Sequence, residues 1–379
     1  MDSTPAPRVQ WMDTLRGTAV LLVIVYHAPG LLELLGWDIP PFLVNVNDFF
    51  LPFRMPALML LAGLLLPRSL AKGLGRYYLG KLVFVVWPYL VWAALHIVQF
   101  GAAYPIDDIR AWVSTGYLWF LFFLIVYYAV APLFAVLPPW LPPVVLWVVA
   151  AIVEPGLVHN LLFYAGFFFL GNLVALRPRL LDALVERRAV VIPLSAVAVA
   201  FGVYIVFAPS NAVVWFVPFS LAGIVAAVAW LRKVDGVALL DPLRFAGRNS
   251  IVYYVAHFPL MVIVLKIIPD DASPDPTSVA VWMLLAALAG CTLLAHGRQL
   301  IPFRWLFEAP VPRAWLRAGG GGSGRSGGGR GGSGGRRLRS GHARTAVDRT
   351  AGRPRPGARP RGGRGDGLGV DDPLLRLAR

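Results

Sequence analysis

The sequence predicts an all-α membrane protein of about ten transmembrane helices, with cytoplasmic N- and C-termini and a disordered C-terminal tail. Three observations carry this reading. Of the 379 residues, 58% are hydrophobic and only 15% charged, against about 25% charged in soluble domains. That leaves too little polar surface to cover a soluble enzyme. Apolar runs long enough to span a bilayer, about 20 residues each, recur along the chain as far as residue 297. Charge is also segregated. Residues 318–379 hold 14 Arg and 20 of the 38 Gly, and carry +10 of the net charge of +15. The chain therefore divides into a cytoplasmic segment at 1–14, a transmembrane domain at 15–305 and a cytoplasmic Gly/Arg-rich tail at 306–379, disordered from about 318.

The expected spans are 15–35, 49–67, 82–100, 116–137, 141–158, 161–176, 189–208, 213–231, 250–268 and 279–297. More spans follow the first and no small-residue cleavage site ends it, so it is not a signal peptide. The fifth and sixth are short, and only Glu154–Asn160 separates them. Loop charge tests the count independently, because Lys and Arg stay on the cytoplasmic side. Arg8 and Arg16 flank the first span. Arg68, Lys72, Arg76 and Lys81 follow the second, and Arg177, Arg179, Arg187 and Arg188 follow the sixth. Arg232, Lys233, Arg244 and Arg248 follow the eighth, and Arg298, Arg304, Arg313 and Arg317 follow the tenth. With ten spans and the N-terminus inside, these 18 share one side and only Arg110 lies on the other. No internal repeat is evident, which disfavours an inverted-repeat transporter.

The tail, with runs such as GGGGSGRSGGGRGGSGGRR, cannot bury enough apolar surface to offset its ordering entropy. It has no aromatic residue on which bases could stack, so no nucleic-acid partner is expected. Its two GxSxG matches lie on no strand–turn–helix and are not nucleophile elbows. Cys291 is the single cysteine, which excludes an intrachain disulfide and a multi-cysteine zinc site. The core has no Walker A, dinucleotide or HExxH motif, and no metal site is expected.

Ionisable groups inside spans are costly and so mark candidate sites. His27 lies in the first span among Val23, Ile24, Val25 and Tyr26. A neutral imidazole there suits a general base; the alternative is a histidine bonded to a helix carbonyl. Arg16 lies eleven residues earlier, about 16 Å away on the same helix face. Asp13 is placed to pair with it, and both could instead be interfacial anchors. Arg54, in the outer half of the second span near the depth of His27, must find a partner. It could hold an anionic substrate group or a developing oxyanion, or be a snorkelling or ion-paired residue. Asp13 and His257 are the other candidates for that substrate or oxyanion role. The loop PRSLAKGLGRYYLGK has four cations and no acid. Arg76 and Lys81 there suit the phosphates of a donor such as coenzyme A, although cytoplasmic loops are basic in any case. His96 is a further buried candidate, and Trp119 reads as packing or an interfacial belt residue.

The order of these features resembles the membrane acyltransferase-3 family. Met12-Asp13-Thr14-Leu15-Arg16-Gly17-Thr18-Ala19 followed by Val25-Tyr26-His27 is similar to its opening pattern. Phe53-Arg54-Met55-Pro56 with Gly63, then Trp87-Pro88-Tyr89, Leu118-Trp119-Phe120-Leu121, and Gly247-Arg248-Asn249-Ser250 with Tyr254 and His257-Phe258-Pro259 follow in order. The resemblance covers about residues 8–305 and implies ten core helices. It also implies transfer of an acyl group, usually acetyl, from acyl-CoA to a hydroxyl, with His27 as base and Arg16 essential. Two departures stand out. The family's RxxR pair corresponds to Lys81-Leu82-Val83-Phe84 here, so the second cation is missing. Its SG after the Met-Pro is Ala62-Gly63.

The expectation is thus an integral-membrane O-acyltransferase, multi-pass in the plasma (inner) membrane. It binds no resident cofactor and uses acyl-CoA, with acetyl-CoA the expected form, as co-substrate. Its partners are the lipid bilayer and a hydroxyl-bearing glycan or hydrophobic small molecule as acceptor. The alternative is a lipid or polysaccharide transporter or flippase, which shares spans and buried charges but consumes no acyl-CoA.

Overall fold

A computed structural model of the chain describes residues 10–208, 213–269 and 274–312. All belong to one compact unit; the second unit, 317–371, lies outside the described residues. So do Arg8, Arg313 and Arg317 and the disorder expected from 318.

Every regular element among the described residues is helical. In chain order they are α1 (Gln10–Leu34), α2 (Pro41–Gly63), α3 (Leu66–Leu70), α4 (Leu74–Lys81), α5 (Trp87–Phe100), α6 (Trp119–Phe134), α7 (Leu141–Ile152), α8 (Leu157–Leu176), α9 (Pro178–Val185), α10 (Arg188–Phe207), α11 (Val217–Lys233), α12 (Asp241–Arg248), α13 (Ser250–Ile267) and α14 (Pro276–Gly297). Local chemistry sets several ends. Proline opens α2, where its missing N–H and fixed φ cost nothing. The Asp275 carboxylate caps α14, accepting from Ser278 N at 2.8 Å. A π-helical turn, Leu82–Val86, joins α4 to α5. Pro88 explains it, since its ring cannot sit against the carbonyl four residues back and offers that carbonyl no donor.

Among the described residues nine helical segments are long and apolar enough to cross a membrane. The chain is a multi-pass integral membrane protein. The fifth expected span is the exception. In place of a helix over 141–158 there is the 12-residue α7, Leu141–Ile152. At about 1.5 Å per residue it is about 18 Å long, short of the roughly 30 Å core. Pro138, Pro139, Pro142 and Pro143 crowd its start, and Pro155 biases Glu154 away from helix.

The neighbours of α7 nevertheless run in one direction. Trp119 meets Tyr164 at 5.2 Å near the start of α6, and Phe134 stacks on Phe169 at 4.7 Å at its end. So residues 135–156 carry the chain back along α8, against which α7 packs through a Trp147 Nε1–H bond to Phe163 O of 3.0 Å.

α1 is the centre of the bundle, touching α2, α11, α12, α13 and α14. Its tightest contact is with α12, a short polar helix that hydropathy does not reveal. There the backbones meet. A Cβ on Gly17 would strike Leu243 O, and one on Gly247 would strike Asp13 O. Gly63 and Gly171 do the same for α2 and α8. Three of these glycines belong to the sequence motifs, so those positions have a packing role.

Candidate active site

A small cavity lies between α1, α2, α6, α8 and α13. It encloses about 30 Å³ and is lined by Val23, Tyr26, His27, Leu51, Arg54, Met55, Tyr117, Trp119, Tyr164 and Tyr254. That is room for about two water-sized groups. No carboxylate is among these lining residues.

His27 and His257 meet at its edge. His257 is fully buried and His27 is 4% exposed. His257 Nδ1 is 2.9 Å from Tyr253 O. A carbonyl only accepts, so Nδ1 carries the hydrogen and Nε2 is left as an acceptor. That Nε2 is 3.2 Å from His27 Nδ1, which also lies 2.9 Å from Val23 O. Both partners of His27 Nδ1 are acceptors, so Nδ1 is protonated. The partners thereby assign the tautomers. His27 Nε2, without a protein hydrogen-bond partner among the described residues, is the lone-pair nitrogen left for the cavity. Tyr117 and Phe258 fix the two rings in place, with Tyr117 5.5 Å from His257 and Phe258 5.7 Å from His27, edge to face.

Arg54 shares the cavity. It is 5% exposed, donates from Nη1 to Asn47 O at 3.2 Å and stacks its Cζ 4.0 Å from the Tyr26 ring centre. Among the described residues it has no ion pair, so the ion-paired reading does not hold. A carbonyl and an aromatic face take up its charge, and Asp48 acts on it electrostatically from farther off.

The aromatic wall is delivered by a folded loop. Asp108 caps a short 3₁₀ turn and pairs with Arg110 at 2.5 Å, and that guanidinium holds its carboxyl below the usual range. The Tyr89 hydroxyl donates to Trp112 O at 2.6 Å and accepts from Thr115 N at 3.2 Å. Gly116, at φ +49°, packs on the His96 ring. This places Tyr117 and Trp119 at the start of α6. The Trp-Pro-Tyr motif thus anchors the Leu-Trp-Phe motif. Trp119 was expected as packing or belt and instead lines the cavity, 9% exposed. His96 lies behind the wall against Phe258 at 6.1 Å and does not line the cavity.

The cationic candidates gather elsewhere. Lys72, Arg76 and Lys81 line a second cavity of about 370 Å³ with Ser69, Tyr77 and Phe84. Lys81 Nζ sits 3.5 Å from the centre of the Tyr128 ring, whose backbone oxygen accepts from Tyr77 at 2.8 Å. Arg16 lies within electrostatic range of the same Tyr128. Its guanidinium is 4.0 Å from Asp13. Arg16 and Asp13 are therefore about three and about four turns of α1 from His27 and away from its cavity. Lys72, Tyr26, Tyr117, Trp119, Tyr164 and Tyr254 are the lining residues that sequence reasoning did not select. Aromatic residues are common in membrane helices, and only tertiary packing distinguishes these.

Among the described residues no cluster of three His, Cys, Asp or Glu could hold a metal. A search of curated proteins gives no match. The acyltransferase domain profile of the acyltransferase-3 family matches residues 9–296. That interval contains both cavities and every motif noted above. The chain belongs to the acyltransferase-3 family of membrane acyltransferases.

Proposed function

We propose that the protein is an integral-membrane O-acyltransferase that moves an acyl group from acyl-CoA to a hydroxyl of a glycan or hydrophobic small molecule. One observation carries the reading. His27 has its Nδ1–H committed to Val23 O and His257, which leaves Nε2 as a base over a cavity that also holds Arg54. A base beside a buried cation, in a cavity lined by no carboxylate, suits proton removal from a hydroxyl with charge development on a neighbouring oxygen.

In this mechanism the acceptor oxygen gives its proton to His27 Nε2 and attacks the thioester carbon. The new C–O bond forms as the carbonyl electron pair moves onto oxygen. Collapse breaks the C–S bond, and the thiolate takes the proton from His27. His257 is a positioning residue that, beside Val23 O, offers a second acceptor to the imidazolium. Arg54 faces the oxyanion.

The donor phosphates would bind at Lys72, Arg76 and Lys81, with Arg16 nearby. Phe84 occupies the place of the family's second cation on this cavity wall. Lys72 and Arg76 compensate. In this reading the basic cavity faces the cytoplasmic side of the plasma membrane. The shared direction of α6 and α8 supports ten crossings and cytoplasmic termini, because residues 135–156 must recross. That parity keeps the basic loops on one side. Transport of a polysaccharide or whole lipid is less favoured, since it gives no role to a histidine whose Nδ1–H is committed to two acceptors.

The test uses the full chain and His27→Ala in detergent. Free thiol release from acetyl-CoA is followed with and without a crude extract of envelope glycans and lipids. Release is expected from the wild type only. Equal release by His27→Ala would remove the base.

A further inference from the structure

We propose that the Trp119 indole N–H and the Tyr164 hydroxyl join Arg54 in holding the carbonyl oxygen of the transferred acyl group. The inference rests on the acyl-transfer reading.

The donors are identified by what the polar groups of Tyr117, Tyr254, Trp119 and Tyr164 already do. Tyr117 donates to Val255 O at 2.6 Å, and Tyr254 donates to Tyr117 O at 2.6 Å. Both hydroxyl hydrogens are committed to backbone. Trp119 and Tyr164 differ. They are 9% and 8% exposed and both line the cavity, yet neither Nε1–H nor O–H has a hydrogen-bond partner among the described residues. Two donors with no protein acceptor in one cavity wall are available to an acceptor atom placed there.

The two are held together and held still. Their ring centres are 5.2 Å apart. Trp119 rests edge-on against Phe123 at 5.2 Å, and Tyr164 against Phe163 at 5.0 Å. Donors fixed before the reaction stabilise a developing oxyanion without reorganising. The third donor, Arg54, lines the same space as His27. All three are donors and the wall has no carboxylate, so the set selects an oxygen that gains negative charge.

The step balances as an exchange. The acceptor hydroxyl loses a proton to His27 and forms the C–O bond, the carbonyl oxygen carries the negative charge against the three donors, and the C–S bond breaks as thiolate leaves and regains the proton. Ester and free thiol are the products.

The experiment compares wild type, Trp119→Phe and Tyr164→Phe as full chains in detergent. Thiol release is measured at saturating and at limiting acetyl-CoA with the envelope extract as acceptor pool. Trp119→Phe keeps the ring and removes the N–H, and Tyr164→Phe removes only the hydroxyl. Each is expected to lower the saturating rate about 100-fold. The half-saturating acetyl-CoA concentration should stay within about threefold, because the phosphate dock is untouched. Should Trp119→Phe unfold, Tyr164→Phe carries the test alone. A saturating rate within twofold of wild type in a folded variant would overturn the donor role of that residue. No turnover by the wild type with acetyl-, octanoyl- or palmitoyl-CoA would overturn the acyl-transfer reading, and this one with it.

Discussion

Replacing His257 tests the histidine pair most sharply. In His257→Leu the acceptor 3.2 Å from His27 Nδ1 is gone, while Val23 O at 2.9 Å remains. The remaining carbonyl keeps the hydrogen on Nδ1, so the base survives. What is lost is the second acceptor for the imidazolium formed in the transition state. A hydrogen bond to a charged group contributes about 1.5–3 kcal/mol, which corresponds to about tenfold to about 150-fold in rate. Removing the base itself, in His27→Ala, should cost about 100-fold to about 10,000-fold. His257→Gln provides the control, because its amide oxygen can accept where Nε2 did. The assay is thiol release from acetyl-CoA at saturating and limiting donor. The saturating rate should fall in His257→Leu and recover substantially in His257→Gln, with little change in half-saturating acetyl-CoA. A loss without Gln rescue would make His257 a packing residue. A loss as large as that of His27→Ala would make it a base in its own right. A rate within twofold of wild type would refute the coupling.

Three further outcomes are expected. Phe84→Arg should lower the half-saturating acetyl-CoA concentration several-fold and Lys81→Ala should raise it, both with little change in the saturating rate, if the cavity of about 370 Å³ holds the donor phosphates. Gly247→Ala places a methyl against the Asp13 carbonyl rather than a movable side chain, so a cost of about 1–3 kcal/mol or more is expected, read as a lower thermal midpoint in detergent; an unchanged midpoint would refute the backbone contact. Cysteines introduced at Ala71 and Pro138 should label with an impermeant reagent only from the cytoplasm, and at Asp107 and Glu154 only from outside, against a buried native Cys291; labelling of Pro138 and Glu154 from one side would mean that α7 does not cross.

Hydropathy resolves most of the spans because a membrane helix satisfies its own backbone and hides its polar groups. It misplaces ends where a helix outlasts its apolar stretch. α2 begins at Pro41 rather than 49, since Asn45, Asn47 and Asp48 lower the average without breaking the helix. Polar α4 extends the third span back to Leu74. Proline crowding around α7 and the polar α12 are invisible to an average over 20 residues. His27, His257 and Arg54 were legible one by one as charges or imidazoles in lipid. That His27 and His257, 230 residues apart, share a hydrogen bond was not. The Trp119–Tyr164 wall was the least legible part, because nothing in an aromatic run tells which ring faces a cavity.

The separation of the two cavities follows from the cost of charge in lipid. Coenzyme A carries several negative charges, and an uncompensated charge at membrane depth is expensive. A site that drew the whole donor to His27 would need many buried cations there. The cavity at His27 has one, Arg54, and the others gather at Lys72, Arg76 and Lys81. Arg16 lies between, about 16 Å along α1 from His27 at about 1.5 Å per residue. In the proposed mechanism the phosphates therefore stay at the interface, and only the neutral thioester and its arm enter the bundle. That division lets the reacting cavity remain small and free of acids. In such a cavity a neutral imidazole and three fixed donors act on one carbonyl with little competing water. It also assigns opposite kinetic signatures to the two groups: changes in the basic cavity move the half-saturating donor concentration, and changes around His27 move the saturating rate.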